Sequence, residues 1–157
     1  MITTERLILR RFTAQDEQEY ADIMTDPNVY RYLGMGQGIP REAIGRMIEN
    51  LDASWGYGLG VYAVVEQLSG KLIGHCGLRG LPCGRHEILY AYAQEAWGKG
   101  YATEAAKAVL KAHDTRPLIA VAYPENVGSI GVIKKLGLRY IGQEKMFGKM
   151  LESFILD

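Results

Sequence analysis

The change of pattern between residues 86 and 122 constrains this chain more than any other feature. His86-Glu87-Ile88-Leu89-Tyr90-Ala91-Tyr92 has the aromatic and β-branched content of a strand. Gly98-Lys99-Gly100 follows, then a helical segment over 101–113, then a second strand over 118–122. Such a strand-helix-strand crossover brings its two strands side by side in parallel, whereas a tight turn makes them antiparallel. Upstream, residues 61–66 and 71–79 read as two strands joined by the turn residues Ser69-Gly70, a hairpin. Hairpins followed by one crossover predict an α+β fold built on a mixed, mostly antiparallel twisted sheet flanked by helices.

The remaining segments supply the other strands and the helices. In Arg6-Leu7-Ile8-Leu9-Arg10-Arg11-Phe12, Leu7 and Leu9 share one face, the alternation of a half-buried strand. Thr13 followed by Asp16 predicts a helix start, and Tyr20, Ile23 and Met24 continue at helical spacing until Asp26-Pro27 ends the run. Pro40 suits the first position of a second helix carrying Ile44, Met47, Ile48 and Leu51 on one stripe. Asn126 caps a further helix bearing Ile130, Ile133 and Leu136, with Gly137 at its left-handed end. Strands over 138–144 and 148–156 bring the sheet to about seven. No repeat or linker interrupts the series, so residues 1–157 are expected to form a single domain.

Composition narrows the function classes. With 48% hydrophobic and 23% charged residues, the chain has the apolar content a core requires and is not a disordered linker. Eighteen Lys and Arg against eighteen Asp and Glu give zero formal charge, so no general attraction to nucleic acid or anionic lipid is expected. No apolar run reaches the roughly 18 residues that span a bilayer, and Met-Ile-Thr-Thr-Glu-Arg lacks the layout of a signal peptide. A cytoplasmic protein is expected, with Cys76 and Cys83 as free thiols.

Gly98 and Gly100 stand between a strand and a helix, where glycine permits close approach of a ligand and the first helical N–H groups have no internal partner. That arrangement suits phosphate oxygens, although a tight turn uses glycine for sterics alone. No Gly-x-x-x-x-Gly-Lys-Ser/Thr or Gly-x-Gly-x-x-Gly is present, which argues against a Walker nucleotidase or a dinucleotide enzyme. Metal binding is not expected, because Cys76, Cys83 and His86 offer at most three ligands and His75 lies on the opposite strand face from Cys76. The same alternation denies Cys76 and His75 a nucleophile-base pairing, leaving Cys76 a packed thiol. Glu87 opens an otherwise apolar strand, surroundings that disfavour its charged form and suit a general base; the alternative is a solvated strand-edge carboxylate.

In five pieces the chain resembles the GNAT superfamily of acyl-CoA-dependent N-acetyltransferases, in its RimJ/RimL-like, ribosomal-protein-acetylating branch. The pieces are residues 4–10, 72–78 and 87–90, Trp97-Gly98-Lys99-Gly100-Tyr101-Ala102-Thr103-Glu104-Ala105, and Asn126 to Ser129 through Lys135-Leu136-Gly137. The resemblance spans nearly the whole chain. It implies that the Trp97–Thr103 stretch, Lys99, Tyr101 and Ala102 included, binds the CoA pyrophosphate. It implies that the backbone of Tyr90, Ala91 and Tyr92 pairs with the pantetheine arm like an added strand. Asn126 and Ser129 would contact the cofactor, or simply cap their helix.

Two residues depart from the family pattern. Glu95 stands where the family carries Gln or Arg three residues before the first loop glycine, and Ile133 stands where many members carry the tyrosine that protonates the leaving thiolate. The resemblance moves that acid role to Ser129, with Glu87 as base acting through water. A neutral amine then attacks the thioester of acetyl-CoA directly, a backbone donor steadies the oxyanion and CoA leaves. An α-amine with a pKa of about 7.7–8.0 suits a single base better than lysine near 10.4, so a protein N-terminus is preferred as acceptor over a small-molecule amine. A catalytically silent acyl-CoA-binding regulatory module is the alternative. Tyr32, Trp55 and Tyr57 are candidates for packing or for an acceptor pocket; assembly is open, a homodimer being the commonest closed form.

Overall fold

The computed structural model describes residues 1–157 apart from the side chain of Cys83, whose thiol lies outside the described residues. Its strands are β1 (Ile2–Thr3), β2 (Leu7–Arg10), β3 (Val61–Glu66), β4 (Leu72–Gly80), β5 (His86–Tyr92), β6 (Leu118–Ala122), β7 (Arg139–Met146) and β8 (Lys149–Leu156). They form one sheet in the order β1-β2-β3-β4-β5-β6-β8-β7. Every pairing is antiparallel except β5–β6, which the crossover makes parallel.

The helices are α1 (Glu17–Met24), α2 (Pro27–Tyr30), α3 (Ile44–Ala53), α4 (Tyr101–Ala112) and α5 (Val127–Lys135). Strand alternation divides the core between the two faces of the sheet. Tyr62, Val64, Cys76, Leu78, Ile88 and Tyr92 pack with Ala105 and Val109 of α4 and Ile133 of α5. On the other face Val61, Ala63, Val65 and Ala91 meet Tyr20 and Ile23 of α1, Val29 of α2 and Ile44 and Ile48 of α3.

Several sequence expectations are corrected. The sheet has eight strands, because the two residues of β1 pair with Leu9 and Ile8 although they are too few to show a period. Thr13 opens a short 3-10 turn over Ala14–Asp16, in which the Asp16 carboxylate accepts from the Thr13 N–H at 2.8 Å, and α1 follows. Pro40 precedes a similar turn, Arg41–Ala43, rather than standing inside α3. Asp26 ends α1 but also starts α2, its side chain accepting from the Asn28 N–H at 2.9 Å.

The positioning feature is the β5–β6 junction. Its register runs only through His86↔Leu118 and Glu87↔Ile119, while β4 and β5 stay paired as far as Gly74↔Tyr92. Beyond Glu87 the two parallel strands diverge, and the sheet opens into a slot.

Candidate active site

The phase of the β4 ladder determines which groups face the slot. Leu78 N–H donates to Gly60 O towards β3, and Ala93 N–H donates to Ile73 O across β4. Because backbone groups alternate sides along a strand, the odd residues of β5 bond β4, while Ile88, Tyr90 and Tyr92 turn their N–H and C=O towards β6. In the last parallel pair, Glu87↔Ile119, the Ile88 N–H is the final β5 donor to β6, and beyond it no β6 residue is paired with β5. Tyr90 and Tyr92 thus offer backbone polar groups to the slot, whereas those of Ala91 are committed to His75 on β4. The Tyr92 carbonyl already accepts from Trp97 Nε1 at 2.9 Å, which ties the following loop to the strand.

That loop lies at the wide end of the slot. Gly98 and Gly100 both adopt left-handed backbone, φ +74 and +83, which favours glycine. Gly100 caps α4 without a side chain, and among the described residues none accepts from the N–H groups of residues 98–103. Lys99 is exposed beside them. A row of unpartnered donors at a helix start, reinforced by the helix dipole, suits a diphosphate. Glu95 lies in a 3-10 turn, Gln94–Ala96, just before it.

Glu87 sits where the slot begins. Its side chain is only 5% exposed, and Oε2 accepts from Arg79 Nε at 2.7 Å, so its surroundings are not purely apolar as expected. Arg79 is its direct partner across the β4–β5 ladder and also lies over the Phe147 ring at 5.7 Å. Alternation places Glu87 on the α1–α3 face with Leu89 and Ala91. His75 shares that face, buried, with Nδ1 2.8 Å from the Tyr20 hydroxyl. Burial, helped by the charge of Arg79, pushes His75 down to about 4, so the ring is neutral near pH 7.

Ser129 approaches from the α4–α5 face. Its Oγ is 3.0 Å from the Tyr90 hydroxyl, which also donates to Ser129 O at 3.1 Å. Burial pushes the Tyr90 phenol up to about 12, and the bond to Ser129 draws it down only in part. Asn126 Oδ1 accepts from Ser129 N–H at 3.3 Å, the capping arrangement. Ile133 is fully buried in the core and brings no hydroxyl to the slot.

Glu87 and Ser129 therefore flank the slot from opposite faces of the sheet. The Arg79 partner and the Tyr90 hydroxyl are neighbours of the candidate residues that the sequence reading missed. Only the first left a signal: once the β4–β5 hairpin is placed in register, residue 79 falls opposite 87. Of the aromatic candidates, Trp55 packs on Tyr62 with ring centroids 4.7 Å apart, while Tyr57 is exposed. Tyr32 pairs with Tyr123 just beyond β6, and the Tyr123 hydroxyl donates to Gly34 O at 2.6 Å. With Asn28 Nδ2 donating to Gln94 Oε1 at 3.2 Å, residues 28–34 bridge from the end of β5 to the end of β6. Among the described residues no three His, Cys, Asp or Glu side chains converge as metal ligands, and no helix is long and apolar enough to cross a membrane.

The slot, the unpartnered donors at the start of α4 and the end of the β5–β6 ladder form the candidate site, and comparison with known proteins identifies the family. A family model for the acetyltransferase (GNAT) domain matches residues 6–139, and the chain belongs to that family of acetyl-CoA-dependent N-acetyltransferases. It is 33% identical over 147 residues to YnaD of Bacillus subtilis, described as an uncharacterized N-acetyltransferase, covering 90% of this chain and 84% of that one. A GNAT-family acetyltransferase from Bacillus anthracis has the same fold, with a TM-score of 0.82 at 24% identity over 98% of this chain and 95% of that one. So does RimL, a ribosomal L7/L12 alpha-N-protein acetyltransferase solved with coenzyme A, with a TM-score of 0.80 at 15% identity over 98% and 94%.

Proposed function

We propose that the protein acetylates a primary amine inside the β5–β6 slot, with a protein N-terminal α-amine as the preferred acceptor and a small-molecule amine as the other. The observation that carries this reading is the end of the β5–β6 ladder at Glu87↔Ile119, directly beside the candidate base. The gap-facing groups of Tyr90 and Tyr92 would hold the pantetheine arm as an added strand, and the N–H groups of residues 98–103 its diphosphate. RimL, whose described acceptor is a protein α-amine, lends weight to the protein acceptor.

The neutral amine nitrogen attacks the thioester carbon from the Glu87 face, and the C–S bond breaks as the amide forms. Glu87, through water, takes the proton the amine loses. Ser129 Oγ, held by the Tyr90 hydroxyl, gives a proton to the departing thiolate on the other face. One gap-facing backbone N–H of β5, left free by the pantetheine arm, would receive the developing oxyanion. Placing base and acid on opposite faces keeps the two proton transfers apart.

Thermal unfolding with acetyl-CoA and turnover of Glu87→Gln test this together. At 100 times its dissociation constant a ligand stabilises by about 2.7 kcal/mol, roughly 5–10 °C for a chain this size, and AMP should not match it. Glu87→Gln should retain that shift while losing turnover on N-terminal peptides by about 10²-fold or more. No shift at millimolar acetyl-CoA would overturn the binding reading; undiminished turnover of the variant would remove Glu87 from the chemistry.

A further inference from the structure

The contacts of Arg6 converge on the loop before α4 and on its first turn. Its Nε donates to Glu104 Oε1 at 2.8 Å and its backbone N–H to Oε2 at 3.0 Å, while Thr4 Oγ1 donates to the same Oε2 at 2.6 Å. Its Nη1 donates to Lys99 O at 2.9 Å. The guanidinium lies over the Tyr101 ring at 4.4 Å, and a Cβ added at Gly100 would stand 3.4 Å from Nη2. Tyr101 in turn donates to Glu66 Oε2 at 2.5 Å.

We propose that Arg6 is a positioning residue for the cofactor loop, setting the direction of the Lys99–Gly100 peptide and shielding the bound diphosphate from Glu104. The first part follows from peptide geometry. The Lys99–Gly100 bond is trans, so its C=O and N–H point in opposite directions. A guanidinium that draws the Lys99 carbonyl towards β2 turns the Gly100 N–H away from it, among the donors offered by residues 98–103. The second part follows from charge. Glu104 stands in the first turn of α4, where it competes with an anionic ligand for the same helix end. Thr4, the Arg6 N–H and the Arg6 guanidinium occupy both its oxygens and balance its charge. Lysine would keep the charge but not the fork that grips Glu104 and Lys99 O together.

This inference rests on the diphosphate reading, and acetyl-pantetheine, which lacks the diphosphate, separates the two. Initial rates are measured with acetyl-CoA and with acetyl-pantetheine for wild type, Arg6→Gln, Arg6→Lys and Arg6→Gln/Glu104→Gln. The expected result for Arg6→Gln is a KM for acetyl-CoA raised at least tenfold, with kcat within about twofold and KM for acetyl-pantetheine unchanged. Arg6→Lys should recover part of the loss, and the double variant should recover the share due to charge. Should Arg6→Gln fail to fold, Arg6→Lys carries the same comparison with a smaller rise. Unchanged KM for acetyl-CoA, or equal rises for both donors, would overturn the role of Arg6 alone. Equal KM for the two donors in wild type would overturn the diphosphate site itself.

Discussion

His75 and Cys76 are neighbours in sequence, yet their environments share nothing. The thiol of Cys76 packs on the α4–α5 face, where burial pushes it up to about 12 and leaves it inert. His75 is buried against Tyr20 on the other face, with its ring held neutral. Because the folded ring titrates near 4 and an unfolded one near 6.5, the unfolded chain binds more protons between those values. The stability His75 contributes is therefore present above about pH 6.5 and lost as pH falls through about 4. Urea titrations at pH 6.5 and 5.0 should show a loss of about 1.5 kcal/mol from this residue. His75→Gln should remove that share of the pH dependence. The opposite faces of residues 75 and 76 were legible from strand alternation alone. The Tyr20 partner was not, because it lies 55 positions away in sequence, with two helices and a strand between. Glu87 illustrates the same limit: its strand and its apolar neighbours could be read, but the guanidinium that meets it lies on another strand.

At the scale of elements, close approach between strands matters as much as helix capping. A Cβ on Gly77 would stand 2.3 Å from Gly60 O and 2.4 Å from Val61 Cα, both backbone atoms that cannot rotate aside. Gly77→Ala should therefore force β3 and β4 apart at a cost of about 3 kcal/mol or more, read as a lowered urea midpoint. Gly98→Ala is the contrast: its Cβ meets nothing within 4 Å, and the cost is the left-handed backbone, about 1–2 kcal/mol. Elements with a full period were readable: β3 to β6, α4 and α5 lie close to where alternation, spacing and Asn126 place them. The exceptions have physical reasons. Two residues in β1 show no alternation, the four of α2 hide behind Pro27, and 3-10 turns at the starts of α1 and α3 absorb residues that helical spacing would claim.

For the whole molecule, the sheet order joins two groups of strands. β2 to β5 are zipped by antiparallel ladders of four to seven register pairs, with the short β1 at their edge, and β6, β8 and β7 form a second such group. The presence of a crossover was legible from Gly98-Lys99-Gly100 and the helix after it; the point where the parallel pairing fails was not. Nothing in His86 to Tyr92 distinguishes the paired residues from those that open on the slot. Only β5–β6 joins the groups within the sheet, through two register pairs, with the Gly34–Tyr123 hydrogen bond adding a tie across it. One core lies under both groups, but the sheet itself is weakest at this seam, and amides of β6 to β8 should exchange with solvent at lower opening free energies than those of β3 to β5. An acyl-CoA arm laid along Tyr90 and Tyr92 would act as a missing rung between them. Protection gained on binding should thus spread into β6 and β8, which makes substrate occupancy a structural bond as well as a chemical opportunity.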